Sequence, residues 1–188
     1  MNCLTERQSQ RIMKRMIKEG MTIITPPKFK SISHGSRQYN KIANDIANSI
    51  ENSNGNFPYL VKLSHFVMGQ NHANALIIDS NNDVLTIEVF ESNGEMGPKT
   101  KLFFEELVSR LAERLNAEYL GELVPGDGIN TIGDGHCNSF VIWYFIKRFH
   151  HGAEHANKSL QHLTNTALDE TIHKKNVVAM NNFLSEYV

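Results

Sequence analysis

The 188-residue chain carries 19 Lys and Arg against 20 Asp and Glu, a formal net charge of -1, with 40% apolar and 21% charged residues. That length can bury one sizeable core, and the charge balance excludes both a global basic field for nucleic acid and an acidic disordered tail. Two cysteines, Cys3 and Cys137, do not make a disulfide scaffold in a chain this long, which points to a reducing compartment. No apolar run approaches the roughly 18 residues of a transmembrane helix, and the opening Met1-Asn-Cys-Leu-Thr-Glu6 lacks the apolar core of a secretory signal.

The elements follow in chain order. Residues 5–19 read as a helix in which Ile12, Met13, Met16 and Ile17 form an apolar stripe, while Arg7, Arg11, Lys14, Arg15 and Lys18 form a basic face. It suits a membrane-surface or partner-docking helix, and equally a peripheral helix with a solvated face. Ile23-Ile24-Thr25-Pro26-Pro27 is a short extended piece stopped by two prolines. Residues 38–51 read as a second helix, with Ile42, Ile46, Ala47 and Ile50 on one face. Strand-like runs follow at 59–63, 66–68, 73–78 and 84–90, the last two joined by the polar turn Ser80-Asn-Asn-Asp83. Residues 99–115 form a strong helical pattern through Phe103, Leu107, Leu111 and Leu115, and 118–124 suits a further strand. The glycine-rich stretch ending at Gly133-Asp-Gly135 leads into Cys137 and the apolar run Phe140-Val-Ile-Trp-Tyr-Phe-Ile146, which predicts a buried helix. Two more helices are expected near 153–164 and 167–187. The expected fold is α+β: a central, mostly antiparallel sheet flanked by helices. The expected organisation is one domain over 1–188, with a peripheral helix at about 5–19, a core at about 38–150 and C-terminal helices at about 153–187.

Cys137 stands at a loop-to-helix junction. A thiol there lies among unpaired N–H groups and the positive end of the helix dipole, which favour thiolate and can bind an oxyanion. A buried structural cysteine fits the same position. A thiol nucleophile needs a base, and the base an orienting group. Nine histidines are available, but His72 begins a strand, and Glu91 closes the next one. If the hairpin turns about Asn81-Asn82, His72 and Glu91 stand opposite each other. Glu88 is the alternative carboxylate, three residues off that pairing. A surface cross-strand ion pair fits the same arrangement.

The segments His72-Ala-Asn-Ala-Leu-Ile-Ile-Asp79, Leu85-Thr-Ile-Glu-Val-Phe-Glu91 and Met96-Gly-Pro98, with Gly135-His-Cys137-Asn-Ser-Phe140 at the start of an apolar helix, resemble the YopJ family of bacterial effector acyltransferases. The resemblance covers roughly 42–149. That family belongs to clan CE, with the adenovirus-type and ubiquitin-like-protein cysteine proteases, all in the chain order His, acid, Cys. It implies a clan CE cysteine protease-like fold and a catalytic triad of Cys137, His72 and Glu91. It also implies acetyl transfer from acetyl-CoA to Ser, Thr or Lys of a target protein, and secretion from a bacterium into a host cell. The runner-up is peptide or isopeptide cleavage of ubiquitin-like proteins by the same residues. The clan's oxyanion-hole Gln, usually five to seven residues before the Cys, is missing, and Asn130 is the nearest amide. The flanking sequence that binds inositol hexakisphosphate in YopJ-type acetyltransferases has no counterpart that can be mapped here.

Three other readings compete. His151-Gly-Ala-Glu-His155 matches the inverted zinc-protease pattern, although Gly152 weakens the helix it needs and no metal site is expected. Asp134-Gly-His-Cys137 resembles the Asp-Gly-x-Cys of ovarian-tumour-type deubiquitinases, but there the Cys comes early and the His late. A decayed triad would leave a non-enzymatic module that only binds a partner protein.

Overall fold

The computed structural model describes residues 4–26, 36–54, 56–67, 70–92, 98–123 and 136–187, with the side chains of 6, 36, 37, 64–67, 70–72 and 99 outside the description. Ten elements succeed one another: α1 (Glu6–Lys18), β1 (Met21–Ile24), α2 (Ser36–Glu51), β2 (Asn56–Val67), β3 (Gln70–Asn81), β4 (Val84–Phe90), α3 (Pro98–Leu115), β5 (Ala117–Glu122), α4 (Cys137–Thr166) and α5 (Glu170–Ser185). The strands form one sheet in sequence order, β1-β2-β3-β4-β5.

The sheet is mixed. Its inner pairings, β2 with β3 and β3 with β4, are antiparallel as expected, whereas β1 pairs with β2 and β4 with β5 in parallel. The reason is connectivity. A helix separates β1 from β2, and another separates β4 from β5, and such crossovers return the chain in the same direction. The runs at 59–63 and 66–68 merge into the single strand β2, because its pairing with β3 continues from Tyr59 to Val67.

Both faces of the sheet are covered, and strand alternation assigns each side chain to one of them. Leu60, Ala75, Ile77 and Phe90 pack with α1, α4 and α5. Tyr59, Val61, Leu63, Leu76, Ile78, Ile87 and Val89 pack with α2 and α3. The helices form where their apolar residues recur every three to four positions. Tyr39, Ile42, Ala43, Ile46 and Ile50 line α2, and Phe103, Phe104, Leu107, Val108 and Leu111 line α3.

Caps and breaks set the helix limits. Thr5 and Gln8 make a reciprocal capping box at the start of α1. Asp169 accepts from the N–H groups of Thr171 and Ile172 at the start of α5. Gly152 breaks α4 with φ 81° and ψ 169°, a conformation open to glycine because it has no Cβ. Among the described residues, no helix is long and apolar enough to cross a membrane.

Candidate active site

The β3–β4 hairpin turns on two residues, Asn82 (φ 50°) and Asp83 (φ 65°), between the paired Asn81 and Val84. Two consecutive left-handed residues make a turn of the I′ kind, which Asn and Asp tolerate and which matches the strand twist. The turn therefore sits one residue later than an Asn81-Asn82 centre would put it. The pairing ends with Ala75 and Phe90, and one step beyond it the same register brings Asn74 level with Glu91, which its side chain reaches. His72 is not opposite Glu91, as the Asn81-Asn82 turn predicted. Its backbone partner is His65 of β2. A displacement of two residues keeps the face, because side chains alternate with a period of two.

Glu91 is buried at 3% exposure and Asn74 fully, and Asn74 Nδ2 donates to Glu91 Oε2. A buried carboxylate needs such donors to offset its lost hydration. The sequence reasoning missed Asn74. Its signal was a lone amide within the apolar run Ala73-Asn-Ala-Leu-Ile-Ile78. Asn74 Oδ1 is buried with no hydrogen-bond partner among the described residues. Replacing Asn74 with leucine is expected to cost about 1–3 kcal/mol, by removing one donor from the buried carboxylate. Urea unfolding of the variant checks this, and pairing it with Glu91→Met should recover most of the loss.

Cys137 is the first helical residue of α4, after the N-cap His136, whose side chain makes no capping hydrogen bond. The thiol is 4% exposed. How far α4 reaches along the sheet follows from two contacts. The Tyr144 ring lies 5.1 Å from that of Phe90. One turn later, Arg148 Nη2 donates to Asp79 Oδ2 at 2.9 Å, and its Nη1 donates to Glu88 Oε2. Four helical residues advance about 6 Å and two strand residues about 7 Å, so α4 runs alongside β3 in the same direction. Seven residues back from Tyr144, about 10 Å, Cys137 comes level with β3 about three residues before Ala75. It also lies beyond the end of β4, which stops at Phe90 while β3 extends to Gln70.

The faces differ, however. Asn74 and Glu91 are in phase with Leu76 and Val89, which face α2 and α3, while α4 covers the opposite side. The alternative carboxylate, Glu88, is on the α4 side and is taken by Arg148. Asn130, the expected oxyanion donor, and the neighbouring Asp127, Gly133, Asp134 and Gly135 lie outside the described residues, as do Met96 and Gly97 of the family pattern. The same holds for the His72 side chain.

Arg148, 5% exposed, anchors a polar network inside this helix. Its Nη1 also donates to Tyr144 Oη at 3.1 Å, and the Tyr144 hydroxyl donates to Asn157 Oδ1 at 2.6 Å. Burial pushes the Tyr144 phenol up to about 12, against the pull of the Arg148 guanidinium and with the push of Glu88. In the unfolded chain the phenol titrates near about 10. Between about pH 10 and about 12 the unfolded state therefore binds fewer protons than the folded one, and stability falls as pH rises. The loss is on the order of 2 kcal/mol, fully incurred only above about pH 12. Denaturant titrations across that interval should show a shallower decline for Tyr144→Phe than for the parent.

The zinc-protease pattern does not assemble. Gly152 breaks the helix between His151 and the Glu154-His155 pair, so the spacing no longer sets both histidines on one continuous turn. Their rings approach to 4.9 Å, but Glu154 pairs with Lys158 at 2.8 Å. Among the described residues no three His, Cys, Asp or Glu side chains cluster in a metal-holding arrangement. Clefts of about 540 and 570 Å³ lie along the second half of α4, and neither is lined by Glu91 or Cys137. Size alone does not make them the site: they lack the nucleophile, and the segments flanking Cys137 and Glu91 in sequence are outside the described residues.

No protein-family model and no curated protein sequence matches the chain. Among solved structures, the ASFV pS273R protease is similar with a TM-score of 0.51 at 14% identity, over 93% of this chain. The chain spans 66% of that protease's length. The central domain of the uncharacterized Lpg1148 protein from Legionella pneumophila gives a TM-score of 0.47 at 12% identity, over 100% of both chains. A de-sumoylating protease gives 0.44 at 13%, over 96% of this chain and 77% of that one. At such identities the likeness is one of fold. The fold is that of clan CE cysteine proteases, an α+β arrangement with a five-stranded mixed sheet flanked by helices. Nothing in these likenesses singles out the YopJ acetyltransferases within the clan.

Proposed function

We propose that the chain is a cysteine protease or isopeptidase that works through a Cys137 thioester, with His72 as base and Glu91 as its orienting carboxylate. The observation that supports this most is the position of Cys137: a buried thiol on the first residue of α4, level with the end of the sheet where Glu91 is held by Asn74. Glu91 and Cys137 belong to opposite faces. The route between them runs past the end of β4, where β3, still paired with β2, continues and carries His72. An imidazole at that step can serve both.

His72 takes the Cys137 proton, and the Sγ lone pair forms a bond to the scissile carbonyl carbon. The C–N bond breaks, and the same proton goes to the leaving amine. Water, deprotonated by His72, then hydrolyses the thioester and restores the thiol. Glu91 holds the imidazole in one tautomer and stabilises the imidazolium. The N-terminal N–H groups of α4, with Asn130 seven residues upstream in sequence, supply oxyanion donors. The clan resemblance makes the C-terminal tail of a ubiquitin-like protein the first substrate class to test. A second reading keeps the acyl-enzyme and changes the donor to acetyl-CoA, with a side chain of a target protein as acceptor. It rests on the His72, Glu91 and Met96-Gly-Pro98 pattern.

The test exposes the protein and its Cys137→Ala variant to ubiquitin-like proteins bearing C-terminal electrophiles. In parallel, labelled acetyl-CoA is supplied with and without inositol hexakisphosphate. A covalent adduct on Cys137 from the first set supports the protease. Acetyl label that needs Cys137, without an adduct, moves the assignment to the acyltransferase. Neither product under any condition ends the catalytic reading.

A further inference from the structure

The basic face of α1 is left without a role by the active site. The helix does not lie on a membrane by its apolar stripe, because Ile12 and Met16 of that stripe are fully buried against α4 and the sheet. What remains available is the opposite side. Arg7, Arg11, Lys14 and Lys18 are all exposed and recur at steps of four, three and four residues. That spacing sets them in one row along the helix, about 16 Å long and directed away from the core. Arg15, beside the row, is used internally: it pairs with Glu19 at 3.1 Å and stacks on Tyr187 at 5.0 Å. The four cations of the row have no ion-pair partner among the described residues.

The charge is concentrated. Five Lys or Arg and a single acid lie in the thirteen residues of α1, on a chain whose net charge is -1. The rest of the molecule is therefore net acidic, and the charge asymmetry turns α1 toward any anionic surface. Shape selects among such surfaces. The row sits on the convex back of a packed helix, and none of its four cations lines a described cleft that could hold an acidic peptide. Ile17, 53% exposed, stands at its flank, where a shallow apolar contact with a lipid layer would fall.

We infer that α1 is an electrostatic docking face for an anionic membrane surface, holding the protein by Arg7, Arg11, Lys14 and Lys18. Cations near such a surface contribute nearly additively, each worth roughly fivefold in binding. The contact weakens as salt rises, since these charges are exposed.

The experiment is sedimentation of the whole protein with phosphatidylcholine vesicles, alone or mixed with phosphatidylserine, at rising salt. The expected result is binding that needs phosphatidylserine and is released by salt. Arg7→Gln/Lys18→Gln should weaken it by roughly twentyfold, and Arg11→Glu/Lys14→Glu, which changes twice the charge, by well over a hundredfold. Lys41→Glu/Lys101→Glu, the same charge change on exposed residues of α2 and α3, should lose far less. Circular dichroism verifies that every variant is folded, and all four α1 positions are exposed, so packing is untouched. Sedimentation that ignores phosphatidylserine, or equal losses in the α1 and control variants, overturns the inference. So does binding through the same four residues to immobilised poly-glutamate but not to vesicles, which would assign the face to an acidic protein partner.

Discussion

Glu91→Gln is expected to slow acylation of Cys137 by about 10³–10⁴-fold while leaving the protein folded. The reason lies in what the carboxylate does and does not do. It forms no bond to substrate. It fixes which imidazole nitrogen carries the proton and stabilises the cation that forms as the thiol is deprotonated. Glutamine fills the same volume and can still accept from Asn74 through its amide oxygen, so the buried hydrogen bond survives. The charge does not, and the amide can hold the imidazole in the wrong tautomer. Rates of adduct formation with an electrophilic ubiquitin-like protein would measure this, with Cys137→Ala as the zero. Thermal unfolding measured alongside separates chemistry from folding. A Glu91→Gln variant that reacts at the parental rate would remove Glu91 from the triad, and the role of the carboxylate beside Asn74 would then be structural.

Arg148→Met is expected to destabilise the fold by about 3 kcal/mol, lowering the melting temperature by roughly 10 °C. Arg148 forks between Asp79 on β3 and Glu88 on β4, and supports the Tyr144 hydroxyl one turn back. Its own side chain is 5% exposed and that of Glu88 13%, so methionine would leave a largely buried carboxylate without its counter-ion. The cost is that of the orphaned charge rather than the net worth of the pair. Adding Glu88→Gln and Asp79→Asn should therefore return most of the loss, and calorimetry of the single and triple variants checks it. The clamp also fixes how far α4 reaches along β3. Cys137 is eleven residues away, about 16 Å, and slower acylation in a still-folded single variant would show that this reach is being transmitted. A loss below about 1 kcal/mol would mean that the network is solvated rather than buried.

The class of fold was legible because hydrophobic periodicity reports burial directly. The α2 and α3 stripes and the apolar opening of α4 read as helices within two residues of where they lie, and the two-sided apolar strands were found although β2 and β3 extend about three residues further than their apolar cores. Cys137 at the start of a helix was equally readable, since the glycine-rich stretch and the apolar run adjoin in the sequence. Strand direction was not, because local pattern cannot tell a parallel neighbour from an antiparallel one. The outer pairings became parallel only through the helical crossovers.

The relation of His72 to Glu91 hung on a single residue of turn position. Asn81, Asn82 and Asp83 all tolerate left-handed backbone, so the sequence determined that a turn occurs there and not its centre. Pairing along the whole hairpin chose Asn82-Asp83, which sets Leu76 directly opposite Val89 and Ile78 opposite Ile87 on the buried face. That selection seated Asn74, not His72, opposite Glu91. The Arg148 clamp was beyond sequence reading for a different reason. Its partners lie 60 and 69 residues away, and a cation within an apolar helix declares only that a counter-charge is needed. Sequence by itself determined which residues must be buried, capped or paired; tertiary structure decided with which partner, because pairing depends on the register and direction of elements distant along the chain.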